Sequence, residues 1–67
     1  MPKRWSTTEV ESVLLRHGFQ LASQKGSHRK YVVNGRVVIV PAGRKEIRAD
    51  TFASILRQSG LDISLFL

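Results

Sequence analysis

The sequence contains no cysteine, so neither a disulfide bond nor a thiolate metal site can support the fold. Histidine and carboxylate are also scarce, with two histidines and five Asp or Glu residues in 67 positions. The carboxylates are scattered along the chain, and the two histidines lack HxxxH spacing. This distribution argues against zinc, against a magnesium site and against two-carboxylate catalysis. We therefore expect no metal and no cofactor.

Long apolar runs are absent as well, and no stretch approaches the roughly 20 apolar residues of a membrane span. Met1 to Ser6 is polar and basic with no apolar stretch behind it, which argues against a signal peptide. The glycines form neither a phosphate-binding loop nor a dinucleotide-binding pattern. These absences predict a small, soluble, cytoplasmic domain without membrane contact, whose 67 residues bury only a modest core.

Positive charge is in excess and lies in the middle of the sequence. The formal net charge is +6, and residues 25–48 contain seven Lys or Arg residues against one Glu. A basic segment of this kind is typical of a protein that binds a polyanion. The alternative is a basic surface that serves only solubility.

The first element is predicted by a capping signal. Ser6 and Glu9 are spaced as in a capping box, and apolar residues at helical spacing follow them. Gly18 is a natural stop, so we predict a helix from Thr7 to His17. His17 would lie at the helix C-terminus, where a charged imidazole suits the helix dipole, and we interpret it as structural.

Three strands are predicted next. Phe19 to Ser23 alternates apolar and polar residues, and Lys25 to Ser27 is predicted to be a turn. His28 to Val33 and Arg36 to Val40 are rich in β-branched residues. They are separated by Asn34-Gly35, the strongest signal for a hairpin with a two-residue type I′ turn.

This turn fixes the register of the hairpin, with Tyr31 opposite Val38 and His28 opposite Pro41. Pro41 ends the strand because it lacks an N–H to donate to a neighbouring strand. Side chains alternate between the two faces of a sheet. The predicted core face carries Tyr31, Val33, Val38 and Val40, with Arg29 on the same side. The other face carries His28, Lys30, Val32, Val37 and Ile39. An apolar strip beside basic residues often marks a partner site; the alternative is that the chain's own termini cover this face.

The last part of the chain predicts a second helix. Ala42 to Ala49 is a basic loop, and Asp50 is the predicted N-cap of a helix that Gly60 ends. Leu61 to Leu67 is apolar, with Asp62 as a cap for a short final turn, and we expect it to pack on the domain or on a partner. The fold class is therefore α+β, in the order αβββα. It has a three-stranded antiparallel sheet with two helices on one face.

The candidate chemistry centres on His28, which stands between basic residues directly after a glycine turn. RNA carries its own nucleophile, the 2′-hydroxyl, so a histidine that moves protons beside cations can cleave it without a metal. Lys25, Arg29 and Lys30 are candidate phosphate ligands, and Gly26 permits close backbone approach. The residues alone leave open that His28 is an ordinary surface histidine. A triad with Ser27 is disfavoured, because adjacent strand residues point to opposite faces.

Four segments resemble one family. They are Gly18-Phe19, Gln24 to His28, Val38 to Pro41 and Thr51 to Leu61. In this order they resemble the HicA toxins of prokaryotic HicAB toxin–antitoxin systems, over nearly the whole chain. The resemblance implies a double-stranded-RNA-binding-like αβββα fold, and it identifies residues 1–67 as a single HicA-like toxin domain of a type II system.

The resemblance also implies an mRNA interferase, a ribosome-independent endoribonuclease that arrests translation. His28 matches the catalytic histidine of the family. The predicted RNA-binding residues are Lys25, Gly26, Ser27, Arg29, Lys30, Arg44, Lys45 and Arg48. The implied partners are mRNA and a HicB-type antitoxin that covers the active surface. Any contact with DNA would be indirect, through the antitoxin. Many relatives have a histidine shortly after the proline of the third strand, whereas here Pro41 is followed by Ala42-Gly43-Arg44.

Two alternatives remain at the level of the sequence. One is a non-catalytic RNA-binding module of the same fold, which would bind RNA without cleaving it. The other is a purely protein-binding domain. It predicts little salt dependence of RNA binding. A protein that binds RNA by neutralising several phosphates should instead show a steep salt dependence.

Overall fold

The computed structural model describes residues 4–67, and the predicted polar N-terminus, Met1 to Lys3, lies outside the described residues. The elements in chain order are α1 (Thr7–Arg16), β1 (Gln20–Lys25), β2 (His28–Val33), β3 (Arg36–Pro41), α2 (Ala49–Ser59) and a final 3₁₀ helix (Ile63–Phe66). The strands form one antiparallel sheet in the order β1-β2-β3. The predicted αβββα order is therefore confirmed. No helix within residues 4–67 is long and apolar enough to cross a membrane.

The start of α1 is as predicted. The Ser6 hydroxyl accepts from the Glu9 N–H at 3.1 Å, and the Glu9 carboxylate accepts from the Ser6 N–H at 2.9 Å, which is a complete capping box. The helix ends one residue earlier than predicted, because His17 forms the C-cap. Its ring Nδ1 lies 3.0 Å from the Val13 carbonyl oxygen, and this contact ties the imidazole to the end of α1.

The β2–β3 hairpin has the predicted register at all six pairs, from Val33 opposite Arg36 to His28 opposite Pro41. Asn34 and Gly35 have φ values of 46° and 81°. Positive φ at both central residues is what a type I′ turn requires, which explains why this short signal predicted the hairpin so well.

The predicted end of β1 is wrong. The strand runs to Lys25 rather than to Ser23, and Lys25 pairs with His28, so that only Gly26-Ser27 form the turn. A register irregularity lies between Leu21 and Ser23. An extra residue of this kind resets the alternation of side chains, so the apolar-polar pattern could not reveal how far the strand continues.

The core lies between the sheet and the two helices. It contains Trp5, Val10, Val13, Leu14, Phe19, Tyr31, Val38, Val40, Ile47, Phe52, Ile55 and Phe66. Tyr31, Val38 and Val40 come from the predicted core face of the sheet, which is confirmed. We call the opposite side, which carries His28, Lys30, Val32, Val37 and Ile39, the open face. Val37 and Ile39 are 41% and 37% exposed, so the described parts of the termini do not cover it.

The predicted N-cap of α2 is also wrong. Arg48, in an extended conformation, occupies this position without a side-chain cap, and Asp50 lies in the first turn. There the Asp50 carboxylate accepts from the Thr51 N–H at 2.8 Å, so it still stabilises the positive end of the helix. Gly60 ends α2 in the left-handed region with φ 69°, as predicted.

The C-terminal segment packs on the domain through the buried Phe66 and the partly buried Leu61. Asp62 caps the 3₁₀ helix by accepting from the Ser64 N–H at 2.8 Å, and this hydrogen bonding lowers the pKa of Asp62. Phe66 is buried and meets the Phe52 ring edge-on at 5.2 Å. Trp5 stacks on the Phe52 ring at 4.5 Å and donates from Nε1 to the Phe66 carbonyl at 2.8 Å. The predicted packing is confirmed for Phe66 and for the partly buried Leu61, whereas Ile63, Leu65 and Leu67 remain exposed.

Candidate functional site

His28 is the first residue of β2, on the open face. It pairs with Lys25 on one side and with Pro41 on the other, and its side chain is exposed. The two-residue turn before it contains Gly26 at φ 58°, a left-handed conformation that favours glycine. The imidazole is therefore placed by a tight hairpin at the end of the sheet, close to where β3 gives way to the basic loop.

A cleft of about 470 Å³ opens beside His28. Its lining comes from β2, from β3, from the loop that follows β3 and from α2: His28, Ile39, Pro41, Arg44, Glu46, Ile47, Arg48, Thr51, Ser54 and Gln58. Of the predicted site residues, the cleft brings together His28, Arg44 and Arg48. One imidazole and two guanidinium groups thus border one concave surface.

The loop that carries Arg44 is fixed by hydrogen bonds to the chain around the start of α1. The buried Thr7 hydroxyl donates to the Pro41 carbonyl at 2.6 Å and accepts from the Arg44 N–H at 2.9 Å. The Thr7 N–H donates in turn to the Arg44 carbonyl at 2.9 Å. Further along the loop, the Ile47 N–H donates to the Trp5 carbonyl at 2.7 Å. Arg44 is therefore held on an ordered backbone, which limits the entropy that a bound ligand would have to remove.

Three neutral polar residues of α2 also line the cleft. We call Thr51, Ser54 and Gln58 the polar wall. They were missed at the level of the sequence, although their spacing of three and seven residues places them on one side of a helix. The available signal was this row of polar residues beside the apolar stripe of Phe52 and Ile55. It predicts a polar helix face, but it does not say that β3 and the basic loop lie next to that face.

Arg29 lies on the other side of the sheet, as the register predicted. Its guanidinium donates to both Glu11 carboxylate oxygens at 2.9 and 2.8 Å, and the Tyr31 hydroxyl donates to the same carboxylate at 2.6 Å. Glu11 raises the pKa of Arg29. Burial, together with Glu11, raises the pKa of Tyr31 to about 12. The guanidinium thus joins β2 to α1, and it does not line the cleft.

The other predicted RNA-binding residues do not line the cleft. Lys25, Gly26, Ser27, Lys30 and Lys45 are all exposed. Lys30 shares the open face with His28. Lys25 is the residue of β1 that pairs with His28 of β2. The three lysines add exposed positive charge close in sequence or strand pairing to His28 and Arg44.

The charges that line the cleft are accessible. Arg48 Nε lies 3.3 Å from Asp50 Oδ1, but both side chains are largely exposed, and exposed pairs of this kind contribute little and exchange readily. Glu46 is the single carboxylate among the lining residues. Within residues 4–67, no three His, Asp or Glu side chains come together as a metal-binding group.

The αβββα order and the net charge of +6 place the chain in the general class of small basic α+β domains. Comparison with protein families is more specific: residues 7–61 match the sequence model of the HicA toxin of bacterial toxin–antitoxin systems. The chain therefore belongs to the HicA toxin family and is a toxin whose family implies an antitoxin partner. The matched range includes every residue that lines the cleft. A comparison with curated protein sequences gave no match.

Proposed function

We propose that this toxin is a metal-independent endoribonuclease that cleaves mRNA and thereby inhibits translation, with His28 as a general acid or base. One observation carries the proposal: His28 shares a cleft with Arg44 and Arg48, inside the range that matches the HicA toxin family. Proton transfer and phosphate binding, the two requirements of RNA cleavage without a metal, can therefore act on one bound phosphodiester.

The proposed reaction is an attack by the RNA on itself. The 2′-oxygen loses its proton and bonds to the adjacent phosphorus, the bond from phosphorus to the 5′-oxygen breaks, and that oxygen takes up a proton. His28 carries out one of these proton transfers. Arg44 and Arg48 stabilise the negative charge that develops on the phosphorane, because guanidinium groups form paired hydrogen bonds with phosphate oxygens. The products are a 2′,3′-cyclic phosphate and a 5′-hydroxyl.

The exposed open face supports the second part of the proposal, which concerns the partner. Val32, Val37 and Ile39 form an apolar strip on the same side of the sheet as His28, and Ile39 also lines the cleft. A HicB-type antitoxin that covers this strip would block the cleft at the same time. In this proposal one toxin domain, residues 1–67, binds the antitoxin and RNA through overlapping surfaces.

The experiment is cleavage of single-stranded RNA by the purified chain in the presence of EDTA, with chemical analysis of the new ends. We expect cleavage to persist in EDTA and to leave 2′,3′-cyclic phosphate and 5′-hydroxyl ends. An otherwise identical oligonucleotide with 2′-deoxynucleotides should resist cleavage, because it lacks the nucleophile. Ends with 3′-hydroxyl and 5′-phosphate groups, or activity that EDTA removes and magnesium restores, would contradict the proposal.

A salt titration separates this function from the two alternatives. RNA affinity should fall steeply with salt, and the double variant Arg44→Ala, Arg48→Ala should reduce the slope by roughly 0.7 for each phosphate that these arginines neutralise. The double variant Arg4→Ala, Arg16→Ala is the matched control, because it also removes two positive charges and neither residue lines the cleft. A flat profile would favour a protein-binding domain. A steep profile without any cleavage would favour a non-catalytic RNA-binding module.

A further inference from the structure

We propose that Gln58 determines which nucleotide is accepted beside the cleaved bond, by donating hydrogen bonds from its amide nitrogen to the base. The inference rests on the proposed function, since it assigns a base-binding role within the same cleft. It also implies that the substrate is single-stranded at this point, because a base can enter a cleft only when it is unpaired and unstacked.

The first support is that the orientation of the Gln58 amide is fixed. Its Oε1 accepts from the backbone N–H of Ile39 at 3.0 Å. A backbone N–H can only donate, so the oxygen must face β3, and the NH₂ group is the remaining end. Among residues 4–67, Nε2 has no hydrogen-bond partner. The amide therefore presents two donors whose direction is set before any ligand arrives.

The position of this donor is the second support. Gln58 lines the cleft together with Thr51 and Ser54, and all three are uncharged. Arg44 and Arg48 are better suited to the phosphate, because charge-assisted hydrogen bonds to it are the stronger ones. A neutral amide instead discriminates between bases by their donor and acceptor pattern. The cleft volume of about 470 Å³ is in the range of sites that hold one small ligand, so it suits a single nucleotide better than a duplex.

The test compares two substitutions at Gln58. In Gln58→Glu, one carboxylate oxygen can still accept from the Ile39 N–H, while the other replaces the donor by an acceptor. Gln58→Ala removes both the acceptor for the Ile39 N–H and the NH₂ donor. Gln20→Glu is the matched control, because Gln20 is exposed on β1 outside the cleft and the substitution changes the charge equally. Thermal unfolding of each variant shows whether the fold is retained.

Each protein is incubated with a pool of random single-stranded RNA, and the cleaved ends are mapped by sequencing. We expect a nucleotide preference at one position flanking the cut in the wild type and in Gln20→Glu. This preference should change by about 3- to 10-fold in both Gln58 variants, the effect of one hydrogen bond. No preference in the wild type, or a uniform loss of rate in the Gln58 variants with an unchanged preference, would overturn the inference.

The sequences of the RNA that each protein retains on binding give a second, independent measurement. If none of the proteins cleaves, the proposed ribonuclease function fails, but the inference about Gln58 still predicts a nucleotide preference among the bound RNA that the Gln58 variants change. If cleavage persists with an unaltered preference in both measurements, the inference fails and the proposed function stands.

Discussion

At the scale of single residues, Tyr31 combines a structural contact with a measurable titration. It is the only tyrosine of the chain, so its phenolate absorbance can be followed directly. Burial raises the pKa of Tyr31 to about 12, with Glu11 as the second cause. Between about pH 10 and pH 12 the folded chain therefore keeps the phenolic proton. The unfolded chain, with an ordinary tyrosine pKa of about 10, has released it in this range.

The resulting prediction is a loss of stability at high pH. Because the raised pKa favours the folded state only while the proton is bound, this contribution is complete below about pH 10 and is lost as the pH rises toward 12. The free energy of unfolding, from urea titrations at several pH values, should fall by on the order of 2 kcal/mol more in the wild type than in Tyr31→Phe over this interval. An equal decrease in the free energy of unfolding with pH for the two proteins would show that the pKa of Tyr31 is the same in the folded and unfolded states.

The Thr7 hydroxyl connects both ends of the loop segment from Pro41 to Arg44. In Thr7→Val the shape is kept, but the Pro41 carbonyl and the Arg44 N–H no longer have their shared partner. We expect the free energy of unfolding to fall by about 1 kcal/mol or somewhat more, because part-buried polar groups lose their hydrogen-bond partner. Thr8→Val, at an exposed position of α1, is the matched control and should change stability little. Equal effects of the two substitutions in urea denaturation would contradict the role given to Thr7.

At the scale of elements, the C-terminal 3₁₀ helix is held by Phe66. Phe66→Ala removes a side chain that is 5% exposed, and we expect a decrease of roughly 3 kcal/mol in the free energy of unfolding. Leu67→Ala is the control, because Leu67 is 87% exposed and its truncation should cost less than about 0.5 kcal/mol. The fluorescence of Trp5, the only tryptophan, reports unfolding from inside the same aromatic cluster. A small effect of Phe66→Ala would mean that this helix is docked by other side chains.

The elements that the sequence predicted best are those with local signals. The capping box of Ser6 and Glu9 and the Asn34-Gly35 turn each depend on a few adjacent residues, and both are present as predicted. The end of β1 was wrong because an irregularity near Leu21 resets the side-chain alternation. The start of α2 was wrong because Asp50 can stabilise a helix from its first turn as well as from the N-cap, and composition does not distinguish the two positions.

The candidate site was predictable only in part, for a different physical reason. His28 and the basic loop are visible in the sequence as a motif and a charge excess. The cleft itself depends on hydrogen bonds between distant residues, such as Thr7 with Pro41 and Ile39 with Gln58. Such pairings follow from the packing of α1 and α2 on the sheet, so the polar wall could not be assigned to the site beforehand.

At the scale of the whole molecule, the two faces of the sheet have separate tasks. The core face packs on the helices and carries the Arg29–Glu11–Tyr31 hydrogen bonds, which join β2 to α1. The open face and the adjoining cleft contain His28 and exposed positive charge. If the proposed function is correct, substitutions of the exposed side chains that line the cleft should change RNA cleavage with little effect on folding.

The most direct test of the proposed role of His28 is the single-turnover cleavage rate of one RNA by His28→Ala, with RNA affinity measured alongside. His17→Ala is the control, because His17 is the only other histidine and lies at the end of α1. We predict that His28→Ala lowers the rate by about 100-fold or more at unchanged affinity, the usual effect of removing a general acid or base, while His17→Ala cleaves normally. Cleavage by His28→Ala at the wild-type rate would contradict the central claim.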